Sequence, residues 1–143
     1  MSKFKDDLKF GQIYEKLLTT LIKNEGYTTC NNKDYDLALI ENGKTIYYEV
    51  KTDRYTNTTS NICIEYSCYN LPSGITTTKA DKYAYYEIKP DGKYTLYIIP
   101  VDFIKEMIQK KKYKKKHIGG DFKLSHFYLF DKSIFEKYNY YSL

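Results

Sequence analysis

The chain is poor in the residues that most often announce a function. Its three cysteines, Cys30, Cys63 and Cys68, are odd in number and show no CxxC spacing, which argues against a disulfide framework and against a cysteine-based zinc site. Histidine is confined to His117 and His126. Their spacing is not that of metal ligands, so His-based zinc or ββα-metal chemistry is disfavoured. Neither GxxxxGK[ST] nor GxGxxG occurs, and no nucleotide cofactor is expected. No apolar run approaches the ~20 residues of a membrane span, and the N-terminus is polar and amphipathic rather than a signal peptide. These absences predict a soluble intracellular protein, in cytoplasm or nucleus, with no membrane partner. Tryptophan is missing while tyrosine contributes 18 of 143 residues. Together with abundant Lys, Asn and Ile this matches an A/T-rich coding bias, and no function is read from it.

The length suits one domain, residues 1–143, able to bury its own core. The net charge of +5 tilts the chain toward polyanionic partners. Most of that charge is local, since Lys110, Lys111, Lys112, Lys114, Lys115 and Lys116 flank a single Tyr113. The run reads as a solvated helix end, a nuclear-import-like patch or a phosphate-binding surface.

The segment 35–51 carries the strongest local signal. Asn42-Gly43 between two apolar runs marks a two-residue type I′ hairpin. Such a turn pairs Glu41 with Lys44, and counting back along both strands sets Asp36 opposite Glu49. Period-2 alternation then puts Asp36, Ala38, Ile40, Thr45, Tyr47, Glu49 and Lys51 on one face. Leu37, Leu39, Ile46, Tyr48 and Val50 fall on the other, which reads as core. Opposed carboxylates with Cβ atoms ~4.5–5.5 Å apart destabilise a sheet, unless a cation lies between them. Hard divalent ions take such oxygen ligands and stabilise charge in phosphodiester hydrolysis. Lys51 could orient or deprotonate a water there, or neutralise phosphate. The plainer reading is a surface hairpin with an ordinary Glu-Lys pair; the opposed Asp36 weighs against it.

Elsewhere, apolar spacing predicts an amphipathic helix over 4–25, with Phe4, Leu8, Gly11, Glu15, Leu18 and Ile22 on one stripe and a cap at Glu25-Gly26. Glu15 within that stripe reads as a half-buried ion pair or as a site residue, beside a glycine that admits a close backbone. A polar loop over 53–60 precedes a third strand, 61–68, on which Glu65 is read as a surface residue or a carboxylate near the metal. A turn at 71–74 and a helical stretch over 76–81 follow, then strands at 83–88 and 94–99, giving a sheet of about five strands. Asp102 is expected to cap a helix that carries the lysine run at its C-terminal end and stops at Gly119-Gly120. Residues 122–130 read as extended and 131–138 as a short helix.

The order of these elements, a helix with Gly11-x-x-x-Glu15, a strand opening on Asp36, twelve residues, then Glu49-Val50-Lys51, resembles the PD-(D/E)XK nuclease superfamily over residues 10–88. Tyr35 stands where that motif often has proline. The resemblance implies an α/β (α+β) fold of the restriction-endonuclease-like αβββαβ type, a mixed sheet flanked by helices, with its core over about 4–100 and a basic helix and tail over 101–143. It implies Mg²⁺, replaceable by Mn²⁺, held by Asp36, Glu49, the Val50 carbonyl and Glu15, with Lys51 as catalytic lysine. The stretch 73–86 resembles the substrate-side segment of small phage-type members, which makes Thr78 and Lys79 candidate phosphate contacts. The expected activity is a metal-dependent DNA endonuclease, either junction-resolving or a sequence-specific restriction or homing type, working as a homodimer or higher homo-oligomer; the family resemblance suggests a virus- or phage-encoded origin. Two other classes stay open: a non-catalytic nucleic-acid-binding module on the same fold, and an interaction protein whose charged hairpin binds a protein partner.

Overall fold

The computed structural model describes residues 3–30, 34–119 and 124–143. Its largest sheet has six strands in the order β1-β2-β3-β6-β7-β10: β1 (Tyr27–Thr29), β2 (Leu37–Glu41), β3 (Lys44–Asp53), β6 (Lys82–Ile88), β7 (Tyr94–Pro100) and β10 (Asn139–Ser142). Only β3 and β6 pair in parallel; all other neighbours are antiparallel. A second sheet, β5-β4-β9-β8, is built from β4 (Asn61–Cys68), β5 (Leu71–Pro72), β8 (Lys115–Gly119) and β9 (Ser125–Asp131). The chain is thus a mixed α/β structure with two sheets and few helices, and no helix among the described residues is long and apolar enough to cross a membrane.

The hairpin forms as its turn chemistry dictates. Asn42 and Gly43 both take positive φ, 54° and 77°, as a type I′ turn requires. Glu41 pairs with Lys44 and Leu37 with Tyr48. Alternation sends Leu37, Leu39 and Tyr48 to one face, where they pack with Leu18 of helix α1 (Lys3–Leu21), with Ile22 just past its end, and with Tyr86 and Leu96. The opposite face carries Tyr83, Tyr85, Tyr97 and Ile99, which pack against Ile62, Ile64 and Phe130 of the second sheet and Ile104 of α3 (Val101–Gln109). Strand β6 is therefore covered on both faces, as a strand in parallel pairing usually is.

Several boundaries differ from the sequence reading. Helix α1 ends at Leu21 because the Asn24 side-chain amide donates to the Thr19 and Ile22 carbonyls, so the chain turns before Glu25-Gly26. A Cβ on Gly11 would meet nothing within 4 Å, so no backbone exploits that glycine. Within the loop 53–60, the Asp53 carboxylate accepts the N–H groups of Tyr55 and Thr56 and starts one helical turn, Thr56–Thr59. That turn lifts the chain out of the first sheet. Strand β4 consequently joins the second sheet, and the first sheet has six strands rather than about five. Of the stretch 76–81 only Thr76 is helical, as the end of a 3₁₀ turn at Gly74–Thr76; residues 77–81 belong to no regular element. Helix α3 starts at Val101, with Asp102 in its first turn rather than at the cap. The lysine run starts at the α3 C-cap, Lys110, where the helix end was expected to carry it, but the helix stops there rather than at Gly119-Gly120, and the run continues through a turn onto β8. Residues 132–138 form the expected short helix, of 3₁₀ type, capped by Asp131, which accepts the Ser133 N–H. The side chains of Phe4 and Leu8, together with Gly120 and Phe122, lie outside the described residues.

Gly74 joins the two parts of the fold. Its φ is +55°, and a Cβ there would stand 2.2 Å from the Glu65 carbonyl oxygen. Backbone cannot yield as a flexible side chain can. Gly74→Ala is expected to lower stability by about 2–4 kcal/mol, read as a shift in the denaturation midpoint at unchanged m-value; a shift below about 0.5 kcal/mol would mean the close approach is dispensable.

Candidate active site

Two carboxylates, Asp36 and Glu49, lie together at the β2–β3 hairpin, and a third, Glu15 of α1, is near enough to feel both charges. Asp36 sits just before β2, where the regular ladder has ended, and its backbone is held on both sides. Its N–H donates to the Tyr48 carbonyl at 2.9 Å, and its carbonyl accepts the Cys30 N–H at 2.9 Å. Its side chain crosses to β3 and accepts the Val50 N–H on Oδ2 at 2.8 Å. Glu49, on β3, lies within hydrogen-bonding reach of the Asp36 carboxyl. Its Oε1 lies 3.0 Å from the Thr78 hydroxyl, and its Oε2 is 3.6 Å from Lys51 Nζ. Glu15 stands on α1, within range of the charges of both. The Tyr86 hydroxyl donates to the Tyr14 carbonyl at 3.0 Å, which pins the helix to β6 at the turn that presents Glu15.

The arrangement is electrostatically costly. Burial pushes the Glu15 carboxyl up to about 7, with further contributions from the charges of Asp36 and Glu49. Burial also raises Glu49. The Lys51 ammonium opposes that rise, Asp36 adds to it, and the Thr78 hydrogen bond opposes it again. Lys51 cannot neutralise three acids from the rim, where its side chain is 40 % exposed against 12 % for Glu49. Desolvated like charges at this spacing favour the protonated forms unless a cation enters.

The donor set fits a hard divalent ion. Among the described residues no group of three or more His, Cys, Asp or Glu side chains is close enough to encircle a metal. Mg²⁺, however, commonly takes only one or two carboxylates and keeps its waters. Asp36 and Glu49 each have one oxygen anchored by the protein, through Val50 and Thr78, and the second Glu49 oxygen faces Lys51. Val50 itself lies in the parallel ladder opposite Ala84.

The remaining sequence-predicted residues are distributed differently. Thr78 is buried and turned inward, with its hydroxyl between Glu49 and the Asp34 carbonyl, so its geometry serves to orient Glu49. Lys79 is exposed, with Nζ 3.9 Å from Asp34 Oδ2. Lys110 pairs with Glu106 at 2.8 Å, one turn back on α3. Lys114 reaches Asn61 Oδ1 at 2.7 Å and Asp131 at 3.3 Å, tying the run to the first residue of β4. Lys116 stands over the rings of Tyr66 and Tyr128. Lys111, Lys112 and Lys115 form no ion pair with another described residue and are fully displayed to solvent. Tyr113 interrupts the run because its ring packs on Tyr128, 4.8 Å between centroids.

Sequence reasoning missed Tyr83 altogether. It lies opposite Glu49 in the parallel register, a pairing that no local pattern reveals. It also left Glu65 undecided; that carboxylate is half-buried and accepts the Ser73 hydroxyl at 3.0 Å.

The raised carboxyls give a pH dependence with a definite sign. In the metal-free protein Glu15 and Glu49 bind protons more tightly than in the unfolded chain, so the stability they contribute is complete below about pH 4.5 and is lost as pH rises through about 7. In EDTA the Tm is expected to fall over that window, and Glu49→Gln is expected to flatten the fall. Adding Mg²⁺ is expected to raise Tm at a pH above the window far more than below it. A Tm in EDTA that rises or stays level across the window would contradict the electrostatics.

Comparison with known proteins adds no relative, since no family model, curated protein or solved structure matches the chain.

Proposed function

We propose that the chain is a metal-dependent DNA endonuclease of the PD-(D/E)XK type. One observation carries the reading: Asp36, just before β2, and Glu49, on β3, lie together beside Lys51, with Glu15 of α1 near enough to feel both charges, at an electrostatic cost that a divalent cation would remove. Asp36 and Glu49 would hold the ion, and Glu15 would reach it directly or through water. Mg²⁺, or Mn²⁺ in its place, would polarise the scissile phosphate and lower the pKa of a bound water.

The protein's own groups prepare the rest. Val50 N–H and Thr78 fix the two ligand carboxylates, so little reorganisation accompanies binding. The Lys51 ammonium, half-exposed and on the same face as Glu49, would neutralise a phosphate oxygen or orient the water. Lys111, Lys112 and Lys115, free of acidic partners among the described residues, would contact the DNA backbone and supply affinity without sequence information. A homodimer would bring a second centre to the opposite strand. Junction resolution and site-specific cutting differ in substrate rather than in this chemistry.

Mg²⁺-dependent cleavage of linear duplex, supercoiled, single-stranded and four-way-junction DNA tests the reading. Wild-type protein is expected to cut at least one of them, and Asp36→Ala and Lys51→Ala are each expected to reduce the rate by at least ~100-fold at unchanged fold. DNA binding without cutting in Mg²⁺ or Mn²⁺, unaffected by Asp36→Ala, would leave a binding module instead. Replacing Lys111, Lys112 and Lys115 by Gln is expected to reduce the slope of log affinity against log salt by about 2–3, measured by fluorescence anisotropy; an unchanged slope would remove the run from the DNA surface.

A further inference from the structure

The second sheet carries four aromatic rings in a row. Tyr113 meets Tyr128 at 4.8 Å between centroids, Tyr128 meets Tyr66 at 4.4 Å, and Tyr66 meets His126 at 5.9 Å. Successive planes are tilted by 42°, 35° and 57°, whereas a parallel stack would hide the ring faces. All four side chains are half-buried, and the three tyrosines rest against the core that the two sheets share. Two sequence features put them there. His126 and Tyr128 are two residues apart on β9 and so share a face. On β4 the register slips between Glu65 and Ser67, and the residue left without a partner is Tyr66, as in a bulge that re-aims a side chain.

The charge around the rings is of one sign. Lys116, opposite Tyr128 on β8, holds its ammonium 6.0 and 5.8 Å from the ring centroids of Tyr66 and Tyr128. It forms no ion pair with another described residue. Ile118, opposite His126, is 51 % exposed. The four strands carry two carboxylates, Glu65 and Asp131. Alternation along β9 puts Phe127 and Asp131 on the face away from His126 and Tyr128, and Glu65 lies opposite Phe127. Glu65 is engaged by Ser73 and Asp131 by Lys114. Cross-strand pairing of tyrosines requires neither the ammonium nor a face without acids.

We propose that this strip binds single-stranded DNA, with unpaired bases stacked on Tyr66, Tyr128 and His126 and the Lys116 ammonium moved from the rings to a phosphate. Stacking on a side chain needs a free base face, which a duplex keeps inside, and the ammonium neutralises the backbone. Backbone contacts tie the strip to the candidate centre. The Thr76 hydroxyl donates to the Tyr66 carbonyl at 2.9 Å, and the Thr78 hydroxyl, two residues on, lies 3.0 Å from Glu49. One short segment thus links the rings to the carboxylates, and the substrate class that fits is DNA with a single-stranded stretch beside the scissile bond. That class and the choice of DNA rest on the nuclease reading; the stacking does not.

Fluorescence anisotropy in EDTA, with an oligothymidylate of about 16 nucleotides and a blunt duplex of equal length, tests the strip. Wild-type protein is expected to bind the single strand at least ~10-fold more tightly. Tyr66→Leu and Tyr128→Leu keep apolar bulk and lose the ring. Each is expected to weaken single-strand binding at least ~5-fold and duplex binding less than ~2-fold, while Tyr66→Phe and Tyr128→Phe stay within ~2-fold of wild type. Lys116→Gln, at an exposed position, is expected to lower the slope of log affinity against log salt by about 0.7 for the single strand. Equal wild-type affinity for single strand and duplex, Leu and Phe variants that bind alike, or an oligouridylate bound ~10-fold more tightly than the DNA would each overturn the proposal. With Mg²⁺, a duplex bearing a single-stranded flap is expected to be cut at least ~10-fold faster than a blunt one, and Tyr66→Leu to remove the difference. Flap and blunt duplex cut alike would overturn the substrate class. Wild-type protein that cuts no DNA would sink the nuclease reading, and binding in EDTA would still decide the strip.

Discussion

The parallel pairing of β3 with β6 is the constraint on which the other parts depend. It sets Glu49 beside Tyr83 and Lys51 beside Tyr85, and it occupies the edge of β3 that a simple meander would have given to β4. Strand β4, displaced, must find another partner, and it does so in β9, across 70 residues of sequence between Asn61 and Asp131. Two packed sheets follow from that displacement. The Asp81 side chain completes the start of the arrangement by accepting the Tyr47 N–H at 2.9 Å, just before β6 begins.

Tyrosine does here what leucine and phenylalanine do in most cores. Tyr48, Tyr83, Tyr85 and Tyr86 are among the largest fully buried side chains, and each brings a polar atom into a place where it must be satisfied. Three of those hydroxyls are spent on local architecture. They restrain the hairpin end at Glu41, the helix at Tyr14 and the turn at Asp53. A core of this composition is therefore also a hydrogen-bond scaffold, and it restrains Glu41, Asp53 and the helix turn next to Glu15 through contacts that an aliphatic core could not make.

The hairpin, its register and its two faces were legible in the sequence because all three are local consequences of Asn42-Gly43 and a period of two. Glu15 was legible because a carboxylate in an apolar stripe contradicts its own periodicity. The destination of β4 was not, since its alternation is the same in either sheet and the deciding event is the Asp53-capped turn before it. Beyond Lys110 the lysine run was misassigned for a related reason. Lysine favours helices and continues the α3 pattern in composition, but Lys111 takes a φ of 54° and the chain reverses into β8. Tyr83 escaped notice because it meets Glu49 through a pairing across 34 residues, and neither strand carries a local mark of the other.

That separation has a consequence in time. The β2–β3 hairpin closes over a few residues and can form within microseconds, whereas the β3–β6 ladder has to close a much longer loop first. On a ribosome the carboxylates of Asp36 and Glu49 would already face each other while residues beyond β3 are still being added. Strand β4, with Ile62 and Ile64 uncovered, would wait for β9, almost the last strand to emerge. The nascent chain thus carries the charged half of its centre before the second sheet exists, and acquires the two as a unit only when synthesis is nearly over.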